Sequence, residues 1–354
     1  MANFPPPLTK GTSLAAFVST LRESGAPVES ALKRAKLPLF YEERLDAWLS
    51  YRALRQFVAD MAAREGLADL GSRAAQKSSQ AGIHPPLRAA IYSAPTLFRA
   101  LCALSRMAHL QVTGLRIWVA SYGTNLRLCH THTMGPDFPG YGLNEAYRTC
   151  QFVGMIRQFC GSKWLPARVI TRRVETRKGL QTHVIPYANE GVPVQTHPDY
   201  GAIDIPADLV WRPNLAPKAC SSVGCAPDPG TSVAAVLRST LSPYLLDGTQ
   251  CLAQSADVMN MSRRELQRAL ARENTCFRRE TSLARLEGAL VDLRDPKLSL
   301  VEVATRLGYS EQSAFSRAFR FWMGLSPNAY RARLQACRED PDLLSPPDYS
   351  GRSQ

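Results

Sequence analysis

The stretch Leu300 to Arg320, LVEVATRLGYSEQSAFSRAFR, decides how the chain is read. Ala304 is small enough for one helix to approach the next, and Gly308 can take the left-handed backbone that ends a helix. Ser310 then offers a side-chain cap to a second helix. In that helix Phe315 and Phe319, four residues apart, bury one face, which leaves Glu311, Gln312, Ser313, Ser316, Arg317 and Arg320 facing outward. The pattern predicts a helix-turn-helix.

The same pattern stands 48 residues upstream, where Ala256-Asp-Val-Met-Asn-Met-Ser262 aligns with Ala304 to Ser310. Asn260 takes the place of Gly308, and asparagine tolerates the left-handed region. After a slip of one residue, Leu266-Gln-Arg-Ala-Leu270 aligns with Phe315-Ser-Arg-Ala-Phe319, and Arg263, Arg264, Gln267 and Arg268 face outward. Arginine, glutamine and serine hydrogen-bond base edges in a major groove, and arginine also neutralises phosphates. One such pattern is weak, because many capped helix pairs never meet DNA; two in tandem are far more specific. Leu283, Leu286, Leu290 and Leu293 predict a helix joining the units. Fixed in this way, two recognition helices would enter successive major grooves about 34 Å apart.

These residues, with Gly324-Leu-Ser-Pro-Asn-Ala-Tyr-Arg331 behind them, resemble the C-terminal signature of AraC/XylS-type transcription regulators over about a hundred residues, Leu237 to Leu334. Asn274-Thr-Cys-Phe277 stands where that family more often has Gly-Thr-Ser-Phe, and Phe321 where it often has a basic residue. The resemblance implies a DNA-binding regulator that activates transcription by contacting RNA polymerase. More loosely, Ala94-Pro-Thr-Leu-Phe-Arg-Ala-Leu101, Trp164-Leu-Pro-Ala-Arg-Val169, Gly191-Val-Pro-Val194 and Tyr200 to Leu209 resemble the arabinose-binding type of regulatory domain found in that family. That name is no sign of arabinose, and the short, glycine-punctuated strands of a sugar-binding jelly roll are missing.

Working outward, Trp211 to Thr231 concentrates prolines, glycines and small polar residues between two periodic regions, as an interdomain linker does. Before it, Leu14, Phe17, Val18 and Leu21 fall at helical spacing, followed by Leu45, Leu49, Leu54, Phe57, Val58 and Met61 over two further segments. Leu97, Leu101 and Leu104 predict a helix ending near Ala108. Leu115 to Val119 and Asn125 to Cys129 alternate around Ser121-Tyr-Gly-Thr and predict a hairpin; Glu145 to Phe159 returns to helix, and strands are expected near 167–172 and 202–205. The expected fold is an α+β N-terminal regulatory domain, 13–215, a linker, 216–231, and an all-α double helix-turn-helix domain, 232–338. Residues 1–12 and 339–354 have the composition of frayed, dispensable ends.

The 354 residues carry a net charge of +13, which favours a polyanionic partner, although both halves share the basic excess. No run of eighteen apolar residues and no signal-peptide pattern occur, so a cytoplasmic protein without a membrane partner is expected. Nine scattered cysteines predict reduced thiols. Cys220 and Cys225 are read as loop cysteines, and Cys251 and Cys276 as core packing. His130 and His132 share a strand face but bring too few ligands for a metal, and are read as exposed strand-end residues. Trp118, Tyr122, Tyr141, Phe159 and Trp164 are read as core aromatics ahead of an effector pocket. The basic cluster Arg172-Arg173 and Arg177-Lys178 fits a solvated loop at least as well as an acidic effector site or a DNA contact. Nucleophile-elbow, zinc-protease, Walker A and dinucleotide motifs are absent, and no catalytic residue, cofactor or metal is expected. The function expected is an effector-responsive activator that binds double-stranded DNA at a promoter or operator, with a small-molecule effector, RNA polymerase and a second copy as partners. The alternatives are an enzyme with a DNA-targeting domain, or a regulator whose N-terminal half only dimerises.

Overall fold

A computed structural model describes residues 6–78, 82–172, 175–176, 179–180, 187–214, 232–247 and 251–339. The predicted linker, with Cys220 and Cys225, and Arg173, Arg177 and Lys178 lie outside the described residues.

The first strand, β1 (Leu8–Lys10), pairs antiparallel with β2 (Trp48–Ser50). This corrects the expectation that residues 1–12 are a dispensable end: Leu8 and Lys10 are completely buried. A lone leucine among prolines and polar residues has no periodicity to betray it, and its burial comes from Trp48 of β2 and from helices more than two hundred residues away. Lys10 Nζ donates to the Asp46 carbonyl at 2.6 Å and lies 4.0 Å from the centre of the Trp48 ring, so its charge is satisfied locally.

Four helices follow in the first unit: α1 (Gly11–Glu23), α2 (Val28–Arg34), α3 (Tyr51–Glu65) and α4 (Leu70–Ser78). Leu14, Phe17, Val18 and Leu21 form the buried stripe of α1 as the spacing predicts. The second predicted segment is shorter than expected. Leu45 is exposed in a turn and Leu49 belongs to β2, because Ser50 accepts the Ala53 N–H and starts α3 only at Tyr51.

The second layer holds α5 (Pro85–Tyr92), α6 (Leu97–Met107) and the long α7 (Tyr141–Cys160) against a five-stranded sheet. Its strands are β3 (Leu115–Tyr122), β4 (Asn125–His132), β5 (Arg168–Arg172), β8 (Val194–His197) and β9 (Gly201–Pro206); β6 (Glu175–Thr176) and β7 (Gly179–Leu180) make a separate ribbon. The order is β3-β4-β9-β5-β8, antiparallel except for the β5–β8 pair. The predicted hairpin is present with Tyr122 opposite Asn125. Ile117, Leu128, Val169 and Ile203 face the helices, while Cys129, Ile170 and Ala202 pack on the other face. This alternation is the period of two expected of strands.

After residue 231 every described regular element is helical: α8 (Val233–Leu241), α9 (Leu252–Val258), α10 (Arg263–Arg272), α11 (Phe277–Asp292), α12 (Leu300–Arg306), α13 (Gln312–Met323) and α14 (Pro327–Glu339). They enclose two cores. One joins Ala256, Met259, Leu266 and Leu270 to α8; the other joins Val303, Leu307, Phe315 and Phe319. Helix α11 serves both, with Ala284 in the first and Ala289 and Leu293 in the second. It is the joining helix that the leucine spacing predicts.

Candidate nucleic-acid interface

The two turns are built alike. The Asn260 N–H reaches the Asp257 carbonyl at 3.0 Å and the Met261 N–H reaches Ala256 at 2.9 Å; 48 residues on, Gly308 donates to Thr305 at 2.9 Å and Tyr309 to Ala304 at 3.0 Å. Each is the paired closure that ends a helix on a left-handed residue, and Asn260 (φ 54°) and Gly308 (φ 73°) supply it. Ala256 and Ala304 are buried at the crossings.

The caps of the two second helices differ. Ser262 Oγ accepts the Glu265 N–H while the Glu265 carboxylate accepts the Ser262 N–H, a reciprocal box that starts α10 and holds that carboxyl below its usual range. Ser310 does not cap α13, contrary to expectation; Glu311 occupies the capping position and its carboxylate accepts from the Ser313 hydroxyl at 2.9 Å. Cys251 and Cys276 also depart from expectation. Both are exposed capping residues of α9 and α11, and Cys251 Sγ accepts the Gln254 N–H. A small residue before a helix has the same local signature whether it packs or caps.

Leu266 and Leu270 on α10, and Phe315 and Phe319 on α13, are completely buried. The opposite faces carry Arg263, Arg264, Gln267 and Arg268, and Gln312, Ser313, Arg317 and Arg320, with Glu311 beside them; all are exposed, and Ser316 is partly covered. None of these five arginines is in an ion pair among the described residues. Their donors are therefore free for phosphates or base edges. Phe321, at the far end of α13, is 88% exposed.

One short segment of the N-terminal domain, Lys36 to Ser50, touches both helix-turn-helix units. Lys36 Nζ lies 2.5 Å from Asp257, Arg44 lies 2.8 Å from Asp292, and Glu43 pairs with Arg306. Arg52, one residue into α3, donates to Asn260 Oδ1 at 2.9 Å, and Asp247 accepts the Leu39 N–H. Below these contacts, Leu8 and Trp48 enter the core of the first unit. Gly288 on α11 makes the approach possible, because a Cβ there would stand 2.7 Å from Leu307 and 3.2 Å from Arg44. The Arg44–Asp292 pair is nearly buried, whereas the Lys36 pair is open to solvent and worth less than about 1 kcal/mol. Reasoning from sequence misses this seam, since pairs of single charges over two hundred residues apart leave no local pattern.

Within the N-terminal domain a cavity of about 90 Å³ lies between α1, α5, α6, β3 and α7. Leu87, Ile91, Leu104 and Phe152 supply apolar wall, and Arg148 and Asn144 bring polar groups to it. None of the five aromatics singled out from sequence lines it. Tyr141 and Phe159 are core, but Trp118 and Tyr122 are exposed on the sheet face away from the helices, so their reading as core is corrected. His130 and His132 are buried, not exposed strand-end residues. Arg148 donates to His130 Nδ1 at 3.1 Å; His132 Nδ1 accepts the Met134 N–H and its ring lies tilted against Tyr51, with centroids 4.5 Å apart. Burial first, and the Arg148 charge second, push His132 down to about 3 and His130 well below its ordinary value. Glu145, one turn before Arg148, accepts the Arg172 N–H and is pushed up to about 7 by burial. Among the described residues no group of three or more His, Cys, Asp or Glu side chains could hold a metal ion, and no helix is long and apolar enough to cross a membrane.

Two capped helix pairs with free arginines on their second helices define a tandem helix-turn-helix DNA-binding protein. Comparison with known proteins carries this further. Residues 255–333 match the family model described as a helix-turn-helix domain, and residues 25–175 match the arabinose-binding domain of AraC transcription regulators, N-terminal. The chain is 30% identical over 340 residues to the HTH-type transcriptional regulator VirS of Mycobacterium tuberculosis, covering 92% of this chain and 96% of that one. It is 38% identical over 80 residues to the ornithine utilization regulator of Pseudomonas aeruginosa, 23% of this chain and 24% of that one. Among solved structures, the transcriptional regulator CdpR from Pseudomonas aeruginosa aligns over 91% of this chain and 98% of its own at 20% identity, with a TM-score of 0.39. The chain belongs to the AraC family of helix-turn-helix transcription regulators and is a DNA-binding regulator.

Proposed function

We propose that this regulator is a cytoplasmic, effector-responsive activator without catalytic activity. Residues 232–338 read an operator by placing α10 and α13 in successive major grooves. Arg263, Arg264, Gln267, Arg268, Glu311, Gln312, Ser313, Ser316, Arg317 and Arg320 supply the DNA contacts. Residues 13–215, extended by β1, sense a small molecule; a homodimer and RNA polymerase complete the active complex. One observation carries the reading: the segment Lys36 to Ser50 contacts both helix-turn-helix units while leaving their arginine faces open. A ligand that favours one arrangement of this seam over another shifts operator affinity by its differential affinity for the two. The apolar cavity, with Arg148 on its wall, favours a sensing role over an N-terminal half that only dimerises.

Footprinting on the promoter of a neighbouring gene should give two protected patches about one helical turn apart. Arg268→Ala should weaken contact in one patch and Arg317→Ala in the other, each by about 1–3 kcal/mol if a base edge is read. Undiminished operator affinity in both variants would sink the assignment of the two helices.

A further inference from the structure

We infer that the cavity beside α7 is a site for a small monocarboxylate with a compact apolar body, its carboxylate on Arg148 and its body among Leu87, Ile91, Leu104 and Phe152. This rests on the sensing role above and names the chemistry of its ligand. The body of the site is apolar, so burial of hydrocarbon drives binding. Its charge comes from Arg148. The guanidinium donates to two neutral acceptors, His130 Nδ1 at 3.1 Å and the Tyr51 hydroxyl at 3.2 Å, and no carboxylate pairs with it among the described residues. Glu145, the nearest acid along the helix, is turned to the Arg172 N–H and does not line the cavity. A guanidinium has five donors, so three remain for a ligand, in the fork that suits a carboxylate. A cation so placed repels an amine and is poorly served by a neutral alcohol.

Volume limits the size. At roughly 10–15 Å³ per water-sized group, about 90 Å³ holds on the order of six to nine non-hydrogen atoms. Hexanoate, with eight, fills that space; any longer chain would have to leave it through the open side. The site is also connected to the seam. Tyr51 begins α3 directly after β2, and Trp48 of β2 stands in the core of the first helix-turn-helix unit. A carboxylate competing for Arg148 would therefore act on a hydroxyl whose residue stands three positions after Trp48, the side chain that packs into the DNA-binding domain.

The test uses the full chain, with calorimetry and thermal shift for four probes: hexanoate, hexanol, hexylamine and acetate. Hexanoate should bind saturably and raise Tm, with hexanol, hexylamine and acetate each at least tenfold weaker. Arg148→Gln should weaken hexanoate at least tenfold without weakening hexanol. Ala108→Leu, which fills the cavity from a buried wall position, should abolish binding of both with the fold retained by circular dichroism. Equal affinity for hexanol, preference for hexylamine, or no saturable hexanoate binding at millimolar concentration would overturn the assignment. Operator footprinting of the unliganded protein, run in parallel, separates this failure from a failure of the regulator reading.

Discussion

Three buried groups beside the cavity titrate in opposite senses. His130 and His132 stay neutral in the fold, so below pH about 6.5 the unfolded chain takes up protons that the native state refuses, and stability falls as pH falls. Each contributes up to about 1.4 kcal/mol per pH unit. Glu145 has the opposite sign: its folded value near 7 lies above the unfolded one, so its contribution is present below about pH 4.5 and is lost as pH rises through 7. Between pH 4.5 and 6.5 the histidines outweigh the glutamate. Urea unfolding across that window should give a steeper acid loss in Glu145→Gln and a flatter one in His132→Gln; unchanged slopes in both would show that these groups are not the source. Phe321 gives a second test at this scale. It is exposed at the end of α13, so Phe321→Arg adds one free cation there. If that end approaches the backbone, the slope of log affinity against log salt should steepen by about 0.9, as binding titrations over a salt series would detect.

At the scale of elements, the turns should show why asparagine and glycine occupy equivalent positions. Gly308→Ala places a Cβ at φ 73° and should destabilise the second unit by about 1–2 kcal/mol, whereas Gly308→Asn, copying Asn260, should cost less. Thermal unfolding ranks the two, and equal losses would contradict the left-handed closure. These turns were legible in the sequence because everything they need lies within eleven or twelve residues, Ala256 to Leu266 and Ala304 to Phe315: a small residue, a left-handed residue, then the buried apolar position of the next helix. Helix α6 and the β3–β4 hairpin were legible for the same local reason. Strands β1 and β2 were not. Leu8 and Trp48 are apolar without period, Leu49 fell into a helical spacing that the fold does not use, and only a distant partner gives them a place. The cavity was unreadable too, since Arg148 is a half-buried residue on a helix whose buried residues fill an ordinary core, and nothing in its spacing separates it from a surface arginine.

At the scale of the whole molecule, the seam joins a sheet-bearing domain to two readers through one segment. Its most buried ion pair is Arg44 with Asp292, both largely shielded from water, with burial raising the carboxyl and Arg44 opposing that rise. Arg44→Ala strands Asp292 and should cost about 3–5 kcal/mol, whereas removing both partners should cost much less than the sum. A double-mutant cycle read by chemical denaturation measures the difference, and strict additivity would mean the pair does not couple. Calorimetry of the Arg44→Ala chain should further resolve two unfolding transitions where the parent has one, because the domains would then melt separately.

The packing of Leu8 and Trp48 into helices of the distal domain bears on the order in which ribosomes deliver the chain. At about 5–20 residues per second, Trp48 leaves the exit tunnel roughly ten to forty seconds before the first of its covering helices, Val233–Leu241, is complete. During that interval a nascent amino-terminal half presents an uncovered apolar spot. Expressed alone, that half should keep it uncovered permanently and need a chaperone or a solubilising fusion to stay in solution.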